Sequence, residues 1–352
     1  MNNFQAVGKF LDQPLLVSKF QENVPLILGT LGTLYTAKEV YNAPDDKKKD
    51  TFIKTGLTMG ATVVSAVYAP KIASAFAKKD PPPKSSEIIE KNTGLIDEFI
   101  KTNNPIEPVQ KILEKGKNKI LNIGEIKDIF EKLGKEEKGK NFLEEFIPSP
   151  KNTTAEDIFD DIKYLSIYGA VPVAGGIAGG VAADVATDKK HWKEKFPNKI
   201  KEGSYQYLAN IFMCNIGAGA ALHLMEKKGV TSKTTRALGM IAGIVLTGVI
   251  GGSKIANFIG KHIIDPIFDK KEKEKPNYDI KDYVQSAKNK KEYKKEIKKQ
   301  KEKERTPELI DIGLHTDDIA TVSLLSGLKW IEPALPLLYS VSGYRAGIGY
   351  RN

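Results

Sequence analysis

The sequence predicts an all-α fold: a polytopic helical membrane protein with about six apolar helices, set out as two three-helix inverted repeats, and two polar helical inserts. Three observations carry that expectation. Charge is segregated: charged residues make up 28% of 352 residues and mean hydropathy is −0.32, a soluble-looking average, yet 164–183 and 203–225 hold no Asp, Glu, Lys or Arg while 264–308 is dense in Lys and Glu. The apolar stretches carry glycines four apart, the spacing that lets helix backbones approach in lipid, where no hydrophobic force acts between helices. No alternation of strands and helices occurs anywhere along the chain.

Residues 1–23 place Phe4, Val7, Phe10, Leu11, Leu15 and Phe20 roughly on one helical face broken near Pro14. That pattern fits an interfacial helix lying on a bilayer or, equally, a packing helix. They lack the basic start, unbroken apolar core and small-residue cleavage site of a signal peptide. Membrane helices 1 and 2 are expected within 24–77. VPLILGTLGTLYTA (24–37) is short for a span of about 20 residues, and extends to Ala43 only if Lys38 snorkels. TGLTMGATVVSAVYAPKIASAFA (55–77) spans with a tilt and a kink at Pro70.

Residues 78–163 change character. KKDPPPKSS is an extended linker, because three successive prolines cannot continue a helix. EIIEKNTGLIDEFI, PIEPVQKILEKGKNKIL and GEIKDIFEKLG then carry Ile, Leu and Phe at three-to-four spacing and read as short amphipathic helices of a polar insert. No calcium loop is present. Asn152-Thr153-Thr154 forms a glycosylation triplet whose meaning depends on a secretory context.

Membrane helices 3–5 are expected within 164–263. In YLSIYGAVPVAGGIAGGVAADV (164–185), Gly175 and Gly179 fall four apart, as do Gly176 and Gly180, so both pairs share one helix face. This run resembles glycine-zipper segments, a likeness confined to residues 175–180. A degenerate nucleotide loop (Ala174, Gly176, Gly179) is set aside, because Pro172 sits where its strand would have to be. After the polar connection DKKHWKEKFPNKIKEGS come two further apolar helices, 205–225 and 237–260.

Residues 264–317 form a second, Lys/Glu-rich insert. Its stretch Lys288–Arg305 reads first as a solvated helix, and otherwise as a contact for anionic lipid. Nucleic acid is not expected, since Tyr293 alone offers no stacking platform. The last stretch, 318–352, holds Lys329, Glu332, Pro333 and Pro336 and is a sixth, broken span.

A duplication is suggested. Gly56, Gly60, Lys71, Ile72 and Ala73 align without gaps on Gly239, Gly243, Lys254, Ile255 and Ala256, and Pro172 and Gly179 on Pro336 and Gly343. Units of three spans must sit upside down relative to each other, the plan of many secondary transporters, whose sites lie between the repeats at interrupted helices such as those of Pro172 and Pro336. Loop charge does not fix the orientation.

Catalytic chemistry is not legible. His191, His223, His262 and His315 are scattered, no metal or cofactor set appears, and Cys214 is a lone packing residue, so the chain is not read as an enzyme. Charge in hydrocarbon is costly and usually kept for a purpose. Lys71, Asp184, His223, Lys254, Lys329, Glu332 and Arg345 lie in or near apolar stretches; His223 and the Lys329–Glu332 pair stand out. The expected role is a small-solute or ion transporter or channel, integral to an inner or plasma membrane. The alternative is a membrane scaffold that recruits protein partners, or a second copy of itself, through its polar inserts.

Overall fold

The computed structural model describes residues 1–149, 154–268 and 329–349, and every regular element among them is helical. α1 (Asn3–Leu11) opens with Asn2 and Gln5 in a reciprocal capping box. Pro14 starts α2 (Pro14–Asn42) in the first turn, where a missing N–H costs nothing. A short 3-10 turn, Asp45–Lys47, reverses the chain into α3 (Lys48–Ala77).

The first polar insert folds around a core of its own. α4 (Ser85–Asn103), α5 (Glu107–Gly116), α6 (Ile123–Leu133) and α7 (Glu137–Phe146) bury Ile96, Leu113, Ile126, Ile129 and Phe142 together. The rings of Phe99 and Phe142 stack at 4.1 Å. α1 docks on this unit. Lys9 Nζ donates to Ile147 O at 3.0 Å and to Ser149 Oγ at 2.8 Å. Gln13 exchanges two buried hydrogen bonds with the Leu121 backbone, at 2.9 and 2.8 Å.

The apolar helices form a bundle around α8 (Ala155–Thr187). The next rod joins α9 (Trp192–Tyr207), a π-helical stretch Leu208–Phe212 and α10 (Met213–Lys227). A second rod runs through α11 (Lys233–Ile244), π-helical Val245–Gly252, α12 (Ser253–Ile259), π-helical Gly260–Ile264 and α13 (Asp265–Phe268). A 3-10 turn, Lys329–Ala334, leads into α14 (Leu335–Ile348).

Four helical rods are long and apolar enough to cross a membrane: 45–77, 155–187, 192–227 and 235–268. Among the described residues this is fewer than the six expected. α2 has the length, but charged residues at Lys19, Glu22, Lys38 and Glu39 bracket its apolar run. α14 has 14 residues, about 21 Å at 1.5 Å per residue, against a hydrocarbon core of about 30 Å. Large apolar side chains cover the outside of the bundle, among them Leu31, Leu34, Val64, Leu246, Ile250 and Phe258. A soluble chain rarely leaves so much apolar surface uncovered.

Contacts fix the directions of the helices. Gly175 faces Ser65 and Ala61 while Gly179 faces Ala61 and Leu57, so α8 runs antiparallel to α3. Tyr168 meets Tyr339, Pro172 meets Gly343, and Gly176 meets Gly347, a constant offset that makes α8 and α14 parallel. An inverted repeat requires these two helices to oppose each other, so the third pair of the suggested duplication is not placed as that plan demands. The aligned glycines also do different things: a Cβ at Gly60 would meet open space, whereas one at Gly243 would collide with the Gly217 carbonyl. The Lys/Glu-rich stretch Lys288–Arg305 and the start of the sixth predicted span lie outside the described residues.

Candidate functional site: a charged and amide ladder inside the bundle

The stretch read from sequence as a polar connection enters the bundle. From Trp192 it is helical, and Lys199, Glu202, Gln206 and Asn210 follow one another at steps of three, four and four. Residues so spaced stack on one helix face. That face is turned inward: these four side chains, with Asp184 of α8 and Arg345 of α14, are all between 0% and 7% exposed.

The site begins at the end of α8 where α9 starts. Lys199 Nζ lies 3.0 Å from Asp184 Oδ2 and donates to Gly347 O at 2.5 Å. The lysine therefore ties three helices together, and its charge meets the carbonyl end of α14, where the helix dipole is negative. One turn deeper, Glu202 Oε1 sits 3.9 Å from Arg345 Nε. Two carboxylates and two cations thus occupy adjacent turns, and these four charges offset one another. Neutrality of this kind is what burial demands, since an unpaired charge in such a site is far costlier than a paired one.

Below the charges the polarity continues without them. Gln206 Nε2 donates to Glu202 Oε1 at 2.7 Å, and Asn210 Nδ2 donates to Gln206 Oε1 at 2.9 Å. Gly203 packs on Ile177 and Val173 while Ile211 packs on Gly169, so the ladder descends beside α8 to that helix's midpoint. It ends in the π-helical turn Leu208–Phe212; such widened turns recur at functional sites. Asn210 Oδ1 is buried with no hydrogen-bond partner among the described residues, and so is Ser342 Oγ on α14. By the antiparallel run of α9 and α14, Ser342 lies one turn from Arg345, at the level of Gln206.

Close helix contact makes room for this arrangement. A Cβ on Gly176 would fall inside the Gly343 carbonyl, and one on Gly180 inside that of Gly347. Gly175 and Gly179 face α3 instead, so the two glycine pairs serve two neighbours rather than one. Pro172 is buried with its carbonyl against Gly343, and Pro336 is buried in the first turn of α14. The structure therefore gathers Pro172 and the four glycines at the α3–α8–α14 contact, with Pro336 at the start of α14.

The remaining sequence candidates lie elsewhere. His223 is exposed on α10, one turn before its end, and faces away from the bundle. Lys329 opens the 3-10 turn. Glu332 accepts a hydrogen bond from the Tyr164 hydroxyl at the opposite end of the bundle, where Lys79 pairs with Asp161. Asp184 and Arg345, noted in the sequence as charges near apolar runs, are the two that reach the ladder. Sequence reading missed Lys199, Glu202, Gln206 and Asn210. The available signal was their shared helical face, which crosses the boundary between the polar connection and the apolar run. No group of three or more His, Cys, Asp or Glu side chains suited to a metal occurs among the described residues. Comparison with known protein families, curated proteins and solved structures finds no match.

Proposed function

We propose that this chain is an integral membrane protein that moves a small ion or polar solute across the bilayer along the α8–α9–α14 ladder. The observation that supports the reading is the ladder: four charges and two amides, buried between α8, α9 and α14, running from one end of the bundle to its middle. Ionisable groups at such depth face the bundle interior and mark ion pathways or proton relays. Helix packing alone does not call for them, because Gly176 and Gly180 on α8 already meet Gly343 and Gly347 of α14 in backbone contact.

The test is flux in proteoliposomes. Full-length protein is reconstituted with trapped dyes for protons, sodium, potassium and chloride, and gradients are imposed one at a time. Flux above that of empty vesicles is expected for at least one of these species. Gln206→Leu, which cuts the ladder without stranding a charge, is expected to abolish it. Vesicles that behave as empty ones under every gradient, or flux indifferent to Gln206→Leu, would remove the proposal. A protein silent in flux but carrying a partner on the α4–α7 unit would support the scaffold reading in its place.

A further inference from the structure

The charges that end the apolar runs say where a bilayer can lie against the bundle. On the α2–α3 side the charge-free runs are 23–37 and 55–70. Glu22 and Lys38 end the first, Lys54 and Lys71 the second, and all four are exposed. On α11 and the π-helical stretch after it the run is 237–253. It ends at Arg236 and at Lys254, which is exposed among the described residues.

Contacts put these runs on one scale, the residues of α8. Gly179 faces Leu57 and Thr58 while Gly175 faces Ser65, so 55–70 lies alongside roughly 168–183. Gly32 faces Met59 and Val63, which sets 23–37 at the same height. Glu226 pairs with Arg236 at 2.8 Å and accepts from Ala155 N at 3.1 Å, so the α11 run starts at the first turn of α8. At its other end Gly252 lies against Ala209, and Ser253 Oγ is 3.2 Å from the Tyr205 hydroxyl. Those turns pass α8 between the contact of Gly203 with Val173 and that of Ile211 with Gly169. Lys254 therefore stands level with Pro172, at the middle of α8's own charge-free run and at the height of Val64 on α3. The run 203–225 falls between the extremes: its centre near Cys214 lies just past the contact of Ile211 with Gly169.

A bilayer perpendicular to these helices has no acceptable height. One centred on Val64 and Leu31 takes the Lys254 ammonium into hydrocarbon, and one centred on Leu246 takes in Lys71 and Glu22; both are costly. The centres of the two sets of runs differ by about 12 residues of α8, or about 18 Å. α2 touches α3, α3 touches α8, α8 touches α10 and α10 touches α11. Four interaxial steps of about 8–10 Å make this row about 32–40 Å wide. A rise of about 18 Å over that width is a tilt of about 25–30°, inside the range of membrane helices.

We propose that the bundle meets the bilayer obliquely, with α8 tilted about 25–30° from the membrane normal and an apolar belt that climbs toward the Asp184 end from α11 to α2. Leu246 on one flank and Val64 and Leu31 on the other then share the bilayer middle. Lys54, Lys71 and Lys254 reach the headgroups, and by snorkelling they lengthen runs of 15–17 residues. This rests on the membrane reading above and not on transport. On α9, Lys199 and Glu202 lie outside the charge-free run and Asn210 inside it, so the ladder opens at one membrane surface.

Depth measurements on the full chain test the placement. Val64→Cys, Lys254→Cys, Leu246→Cys and Phe76→Cys replace exposed side chains and are made one at a time. Cys214 is 1% exposed and stays in place, with the unsubstituted chain as the labelling blank. Each variant is spin-labelled and reconstituted in vesicles of phosphatidylcholine and phosphatidylglycerol. Collision with oxygen, set against collision with a water-soluble nickel chelate, reads the depth of the label. Val64 and Lys254 share one height on α8, and so do Leu246 and Phe76. The oblique placement expects the Val64→Cys and Leu246→Cys labels within about 5 Å of the bilayer middle, and the Lys254→Cys and Phe76→Cys labels at least about 10 Å from it. Equal depths within each pair would overturn the proposal and leave the protein in the membrane. Labels that all meet nickel as freely as in water would remove the membrane reading itself. The expected depths in vesicles that show no flux would keep the placement and remove transport.

Discussion

Replacing Gly180 with alanine tests the backbone contact on which the site is built. An added Cβ would lie inside the Gly347 carbonyl oxygen, 2.6 Å from its carbon and 2.9 Å from its Cα. Carbon atoms settle at about 3.5–4.0 Å, so α8 and α14 have to part by on the order of 1 Å. Neither atom belongs to a flexible side chain that can step aside. Overpacking of this kind costs about 1–3 kcal/mol, offset by up to about 1 kcal/mol from alanine's better helix propensity. The net loss is expected to lower the unfolding midpoint by several degrees, taking roughly 2–4 °C per kcal/mol. The chain supplies its own reporter. Cys214 is the single cysteine, 1% exposed, and belongs to the same buried cluster as Tyr339 and Ala346 of α14. A fluorogenic maleimide therefore reads unfolding as the thiol becomes reactive on heating. Gly60→Ala on α3 is the control, because its Cβ meets nothing within 4 Å; it is expected to leave the midpoint unchanged or raise it. Equal midpoints for Gly180→Ala and Gly60→Ala would show that α8 and α14 do not touch as described.

The other predictions concern the ion pairs and the docking of the insert. Lys199→Met strands Asp184 and frees the Gly347 carbonyl, a loss of about 3–5 kcal/mol, and the combination Asp184→Leu with Lys199→Met is expected to recover most of it in the same thiol assay. Gln13→Ala leaves the buried Leu121 N–H and C=O without partners, at about 1–3 kcal/mol, and is expected to speed hydrogen exchange at the Leu121 amide while amides in α8 stay protected. Glu22 accepts from Ser85 N and Ser85 Oγ, each at 2.8 Å, and the backbone bond first, then the hydroxyl bond, holds its carboxyl below the usual range. A depressed carboxylate stabilises above its ordinary pKa and loses that contribution as pH falls through the lowered one. Cleavage by an acid-active protease in the 78–84 linker is therefore expected to rise as pH drops below about 4, and Glu22→Gln is expected to flatten that rise.

How much of this was legible in the sequence depends on whether a signal was local. Helices of the insert follow from three-to-four spacing of Ile, Leu and Phe, and the observed cores of α4, α5 and α6 use those residues. Charge-free runs mark α8 and the two rods after it. Among the described residues fewer helices qualify as spans than expected where composition and length disagree: α2 has the length without the apolarity, and α14 the apolarity without the length. Direction failed for a different reason. The alignment of Pro172 with Pro336 concerns local sequence, whereas the relative sense of α8 and α14 depends on where the chain re-enters the bundle. The ladder was missed because Lys199 and Glu202 lie in a lysine-rich stretch, where a wet helix face is the ordinary reading. Only burial by α8 and by α14, the latter from a distant part of the chain, separates them from Lys193 or Lys201.

That burial is an energetic argument about purpose. A buried pair such as Asp184–Lys199 is weak evidence of stabilisation, since well-packed apolar residues in its place are often as stable or more so. The bundle already holds α14 by the contacts of Gly176 and Gly180 with Gly343 and Gly347, which need no charge. Four charges and two amides are therefore retained at a site that packing could have filled with Leu and Val. A rigid structural network would also be expected to close on itself, whereas this one stops at an open carbonyl oxygen on Asn210, in a widened turn at mid-helix. Stability and function should then separate in a single chain: the apolar double replacement of Asp184 and Lys199 restores the thermal midpoint, and flux stays lost because the entrance to the ladder has lost its charges.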